Sequence, residues 1–239
     1  MMPNVPIVRL PRATFGFAMA TVLTLLGCDA PAAPENRATG GASPAGASPV
    51  ASFDQQAAEV LAGRSTTIRA EESTLSDGRL QTLGTLTALT QLELPHAVVD
   101  DHAVRQFASL ENLEVLVLGD TTISDDGWRR LTSLKKLKRL NVANCEIDDA
   151  ALRDVSSWGE LELLRIGSKH VTDAGLAEIA ALPKLRHLII RFAPISDAGL
   201  KPLADMKRLE SLYLEGTRVT EAGERELLRA RPDLHIHFP

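Results

Sequence analysis

Aliphatic residues return along most of this chain at a fixed interval. Leu161, Leu164 and Ile166 are matched 24 residues on by Leu185, Leu188 and Ile190, and Val171, Asp173, Gly175 and Leu176 by Ile195, Asp197, Gly199 and Leu200. Units open at Leu89, Leu113, Leu137, Leu161, Leu185 and Leu209, and a partial one at Leu234. A period of this length marks a solenoid, in which each unit buries its apolar side against the next.

Within a unit the period is two at first. Positions 1, 4 and 6 are aliphatic, as in Leu137, Leu140 and Val142, and the alternation predicts a short strand with one buried face. Position 11 is always β-branched: Val99, Ile123, Ile147, Val171, Ile195, Val219. Helix-start chemistry follows. Ser124, Thr172, Ser196 and Thr220 stand where an N-cap oxygen meets free amides, and Asp125, Asp173, Asp197 and Glu221 suit the positive end of a helix. Asp148-Asp149 and Asp100-Asp101 take these places in two units. Gly127, Gly175, Gly199 and Gly223 recur two residues after the acid. A glycine in a first helical turn costs stability, so its recurrence predicts a close approach to a neighbouring unit. The predicted helices bury Val104, Trp128, Leu152, Leu176 and Leu200, then Phe107, Leu131, Val155, Ile179 and Leu203.

The pattern L-x-x-L-x-L followed by I-T/S-D-x-G-L resembles the leucine-rich repeat family over about residues 65–239. It is similar to repeats of many secreted bacterial proteins and to the cysteine-containing repeats of F-box proteins. The resemblance implies an α/β solenoid with a parallel sheet on the concave face and short helices on the convex face. Position 9, where the family carries Asn, reads Ala97, Thr121, Cys145, Lys169, Ala193 and Thr217, so the usual Asn ladder is missing. Cys145 occupies the place of a buried structural Cys in related repeats. Lys169 is out of character there and is expected to bend outward at the rim.

Ahead of the regular units, residues 52–64 read as a helix. Ser52 caps it, Phe53, Ala57, Val60 and Leu61 share one face, and Gly63 ends it. Ile68 and Ala70 stand in for strand positions, and Leu75, Asp77-Gly78, Leu80 and Leu83 continue the theme one residue out of step. Residues 52–88 are read as an N-terminal cap, 89–233 as six repeats and 234–239 as a terminal strand cap.

The first 51 residues have another character. Arg9 and Arg12 precede the apolar run 15–26, too short to span a bilayer, and Leu25-Leu26-Gly27-Cys28 follows. The ending resembles the bacterial lipobox. That resemblance implies cleavage before Cys28, lipidation of its thiol and anchoring in the bacterial envelope, with 1–27 as signal peptide. Asp29 resembles an inner-membrane retention signal, without deciding the leaflet. Residues 28–51 then form a Pro, Ala, Gly and Ser tether that cannot bury enough surface to order itself. Cleavage would remove two arginines and no acid, taking the formal charge from −5 to −7. Cys28 and Cys145 are not expected to pair.

Composition narrows the chemistry. The chain is 44% hydrophobic but only 4% aromatic, as a core of aliphatic layers requires. It is acidic and has no Lys/Arg-rich block, so nucleic acid is excluded as a partner. No nucleophile motif, phosphate-cradling loop or cofactor fingerprint occurs. The recurring aspartates have the spacing of caps, not of an acid/base pair. His235 and His237 place two rings on one side of the last strand, but zinc needs three or four ligands. No enzyme activity, metal or cofactor is expected.

The side chains facing away from the core do not repeat. Position 3 reads Gln91, Val115, Arg139, Leu163, His187, Ser211 and position 5 reads Glu93, Val117, Asn141, Arg165, Ile189, Tyr213. Variable residues on a repeating scaffold are where a binding site is written. Arg139, Leu163, Arg165, His187, Ile189, Arg191, Phe192 and Tyr213 mix cations with exposed apolar and aromatic groups, and Arg and Tyr are interface anchors. The expectation is a monomeric, lipid-anchored module binding a protein or peptide, acidic by charge complementarity. Two other readings stand beside it: an F-box-like substrate adaptor, for which residues 29–64 offer no helix bundle, and an envelope hydrolase or metal-binding protein.

Overall fold

A computed structural model of the protein describes residues 51–73 and 75–237. The signal segment, Cys28 and the tether up to residue 50 lie outside the described residues. Each unit opens with a strand: β1 (Thr67–Arg69), β2 (Gln91–Leu94), β3 (Val115–Asp120), β4 (Arg139–Asn144), β5 (Leu163–Gly167), β6 (His187–Arg191), β7 (Ser211–Glu215) and β8 (His235–His237). They form one parallel sheet in chain order. The register is the 24-residue offset itself, so Leu92, Leu116, Leu140, Leu164, Leu188 and Leu212 lie side by side. All six are fully buried. Leu164, Ile166, Leu188 and Ile190 thus point inward, as the alternation requires.

Helices run back behind the sheet: α1 (Phe53–Leu61), α2 (Asp77–Thr85), α3 (Asp101–Phe107), α4 (Asp125–Leu131), α5 (Asp173–Ile179) and α6 (Glu221–Ala230). Two units use 3₁₀ segments, Ala151–Ser157 and Asp197–Asp205. Pro202 lies inside the second, where its missing N–H cannot close an α-helical turn. In the first, no Ser or Thr supplies the cap, and Asp148 Oδ1 accepts from the amides of Ala150 and Ala151.

The residues from Ile68 onward are in step with the rest, contrary to the expected slip of one residue. Ile68 and Ala70 lie 24 residues before Leu92 and Leu94 and are buried, as are Leu80 and Leu83, 24 before Val104 and Phe107. The N-terminal cap is therefore a full coil plus α1. Ser52 and Gln55 form a reciprocal capping box on α1, and Gly63 (φ 70°) ends it. Leu61 is 65% exposed and does not join Phe53, Ala57 and Val60 in the core. Gln56 reaches from α1 to the edge of the sheet: its amide accepts from Arg69 N–H and donates to Arg69 C=O, both at 2.7 Å. A side chain thus occupies the place of a further strand and blunts an edge that would otherwise template pairing. At the other end Arg231, 3% exposed, donates to the carbonyls of Met206 and Leu209 and pairs with Asp233.

The recurring glycines have a concrete cause. Asp149 Oδ1 accepts from the amide of Thr172 (2.8 Å) and of Gly175 (3.0 Å), while Oδ2 accepts from the Thr172 hydroxyl (2.6 Å). Asp101 binds Ser124, Asp173 binds Ser196 and Asp197 binds Thr220 in the same bidentate way. A Cβ on Gly127, Gly175, Gly199 or Gly223 would overlap the carboxylate from the preceding coil. The aspartates therefore do more than cap their own helices. They form a carboxylate ladder between coils on the helical side, where the sequence has no Asn ladder at position 9. Two rungs are missing among the described residues, because the residue 23 places after Asp77 is Asp100 and that after Asp125 is Asp148, neither of which carries a hydroxyl.

Candidate functional site

The open face of the sheet carries the non-repeating residues, and strand pairing sets their neighbours. One row runs Arg139, Leu163, His187, Ser211, His235, a second Asn141, Arg165, Ile189, Tyr213, His237, and a third Gly167, Arg191, Glu215. All eight residues expected at the site thus fall on adjacent strands or, for Phe192, at the end of one. The three arginines do not share a row. Each is one strand over and two residues along from the last, so they form a diagonal with steps of about 8 Å.

Two of the eight are not exposed as expected. Leu163 is 6% and Ile189 7% accessible. Each lies between longer side chains, Leu163 between Arg139 and His187 and Ile189 between Arg165 and Tyr213. Long polar side chains lie along apolar neighbours and keep their heads in water, so the aliphatic groups are a floor, not a contact surface. Arg139, Arg165, His187, Arg191 and Tyr213 are half-buried.

Polar contacts hold this surface in place. Arg191 donates to Glu215 through Nε (2.5 Å) and Nη2 (2.9 Å). That hydrogen bond, with the nearby charge of Arg165 as a smaller influence, holds the Glu215 carboxyl below its ordinary range. His187 Nδ1 lies 2.7 Å from Ser211 Oγ, and burial pushes its imidazole below the usual value. Tyr213 stacks on His237, centroids 4.3 Å apart and planes at 11°. His237 is thereby part of the open-face row, and burial lowers its pKa too. Sequence reasoning left Glu215 and His237 out of the site. The 24-residue offset from Arg191 and Tyr213 was the signal that could have found them. Asn141 is buried between the arginine stations, and its Oδ1 has no hydrogen-bond partner.

Phe192 stands apart. Its φ is 61°, the one left-handed non-glycine among the described residues. One coil later the same place is Gly216, φ 65°. Left-handed backbone in a bulky residue costs of order 1–3 kcal/mol and concentrates at functional positions. Phe192 is 46% exposed, and the Arg191 guanidinium lies 5.1 Å from its ring centroid. It edges a cleft of about 350 Å³ at the strand ends, lined also by Asp120, Asn144, Glu146, Gly167 and Lys169. Lys169 is exposed, as expected. Its neighbour Ser168 takes the inward place, 2% accessible, donating to Ile147 C=O at 2.6 Å.

Other features are structural. Cys145 is buried beneath the cleft, Sγ 3.4 Å from Gly167 C=O, and burial pushes its thiol up to about 12. The opposite edge is laced by ion pairs one coil apart: Lys138 with Glu114, Lys184 with Glu160, Arg186 with Glu210. Among the described residues no group of three or more His, Cys, Asp or Glu is placed to hold a metal, and no helix is long and apolar enough to cross a membrane.

This architecture is a leucine-rich repeat solenoid, and comparison with known proteins agrees. A family model described as Leucine Rich repeat matches residues 133–156 and 181–204. Among solved structures the chain is similar to an internalin from Listeria monocytogenes, at 18% identity and TM-score 0.61, over 75% of this chain and 49% of that one. It is also similar to a leucine-rich repeat protein of Leptospira interrogans, at 15% identity and TM-score 0.52, over 73% of this chain and 49% of that one. The chain therefore spans about half the length of these two proteins. At this identity the likeness concerns the fold. No curated protein matches the sequence.

Proposed function

We propose that this chain is a non-catalytic recognition module of the bacterial envelope, anchored through lipid on Cys28 and binding a protein partner on the open face of its sheet. The observation that carries the reading is Phe192, an exposed aromatic in a conformation the next coil gives to glycine, beside the arginine diagonal of β4–β6. A scaffold that only packed would place glycine there. One further observation supports the choice of face: its residues differ from coil to coil, whereas the helix starts repeat the carboxylate ladder. The lipobox at Leu25–Cys28 supports the anchor, and two or more acyl chains would make it durable.

The test is site-specific photocrosslinking in cells. A photoreactive residue at Tyr213 should capture a discrete protein, and one at Glu226, on the helical side, should not. Capture from Glu226 alone would reject the assignment of the face. Cys28→Ser should move the protein from the membrane fraction to the soluble one, and retention in the membrane would reject the anchor.

A further inference from the structure

The diagonal of arginines has a direction, and its ends differ. It begins at Arg139 on β4, passes Arg165 on β5, and ends at Arg191 on β6 beside Phe192. Arg139 to Arg191 is two steps, about 16 Å. An extended peptide advances about 3.3 Å per residue, so carboxylates on one of its faces recur every 6–7 Å. Flexible guanidinium heads on side chains of this length bridge the small difference. Beyond Phe192 the run of arginines stops: the cleft is lined by Asp120, Glu146 and Lys169, of mixed sign. An acidic ligand is favoured up to Arg191, and the exposed Phe192 ring offers an uncharged side chain a place to rest.

The positive charge is local, since the whole chain is net acidic. Glu215 keeps Arg191 oriented, so the last guanidinium is held in place before a ligand arrives.

We propose that the diagonal Arg139–Arg165–Arg191 takes an extended acidic segment of the partner protein, its same-face carboxylates meeting the guanidiniums and the uncharged residue after them resting on Phe192. This rests on the open face being the binding face, and it adds the partner's chemistry and polarity.

The experiment uses the full-length chain in detergent and fluorescein-labelled synthetic peptides. One carries three Glu at alternate positions followed by Leu. A second has the same composition with Leu placed before the Glu series. Dextran sulfate is the third probe. Fluorescence anisotropy should show the first peptide binding at least tenfold tighter than the second, with dextran sulfate a weak competitor. Arg165→Gln should weaken the first peptide about tenfold or more, as loss of a charge-assisted bond requires. Arg139→Gln, at the far end of the diagonal, should act similarly should Arg165→Gln fold poorly. Phe192→Gly should erase the preference between the two peptides while the circular dichroism spectrum stays unchanged. Equal binding of both peptides, or dextran sulfate binding as tightly as the first, would overturn the proposal in favour of a general polyanion surface. Absence of peptide binding while Tyr213 still crosslinks to a protein would overturn the diagonal and leave the binding face standing. Loss of both would remove both.

Discussion

The carboxylate of Asp149 holds Thr172, the residue 23 positions ahead of it, by both its backbone amide and its hydroxyl, at 2.8 and 2.6 Å. The contact ties one coil to the next where each helix begins. Thr172 in turn caps its own helix, so one rung settles the unmet donors of a helix start and an interface between repeats.

The ladder should behave as a coupled unit. Asp173→Ala removes two charge-assisted hydrogen bonds to Ser196 and should cost roughly 1–3 kcal/mol in urea unfolding. Gly199→Ala, which forces a methyl into the Asp173 carboxylate, should cost about 1–3 kcal/mol. The double variant should lose clearly less than the sum, since the alanine at position 199 no longer meets a carboxylate. Additive losses would show that the two residues do not share a space.

Acid should act on the same contacts. Hydrogen bonds from Ser124 hold Asp101 below the ordinary value of 3.8, and hydrogen bonds from Thr220 do the same for Asp197. A depressed carboxylate pKa means that its contribution is fully present above pH 3.8 and is lost as pH falls through the lower folded value. His187 and His237, lowered from 6.5 by burial, add an earlier step. They favour the folded state above pH 6.5 and lose that effect as pH drops through their folded values. Melting temperature should therefore decline in two stages on acidification. Ser124→Ala with Thr220→Ala should flatten the lower stage, and a His187→Gln, His237→Gln double variant should flatten the upper one.

Phe192 should trade stability against binding. Phe192→Gly relieves a left-handed backbone, and the melting temperature should hold or rise, by up to about 1 kcal/mol in stability. A fall of more than that would mean the ring contributes to packing, not to recognition.

Cys145 should be inert. With its thiol pushed up to about 12 and its side chain buried, it should resist maleimide at pH 7.5 in a Cys28→Ser background and react fully in urea. Rapid labelling of the folded protein would contradict its place beneath the cleft.

The edge at Gln56 should guard against self-association. Gln56→Ala frees the backbone of Arg69. Sedimentation velocity should then show stronger concentration-dependent association than the parent chain gives, and equal behaviour of the two would show that the edge is not guarded by Gln56.

Much of this was legible in the order of residues. Each coil is a local unit of 24 residues, so alternation within it assigns strand, turn and helix, and repetition sets the register without long-range information. Leu164 and Ile190 could point nowhere but inward. The row membership of Arg139, Arg165 and Arg191 follows from the same offset.

Tertiary structure decided what the residues facing outward experience. Leu163 and Ile189 are covered because long side chains from neighbouring coils close over them, a relationship between residues 24 apart that hydropathy does not encode. The backbone of Phe192 is left-handed because the chain must leave β6 as it leaves β7 at Gly216, and nothing about phenylalanine announces it. The aspartates looked like caps of their own helices, and only stacking aimed Asp101, Asp149, Asp173 and Asp197 into the next coil. Local pattern settles which way a side chain faces. What it meets there depends on coils brought alongside by folding.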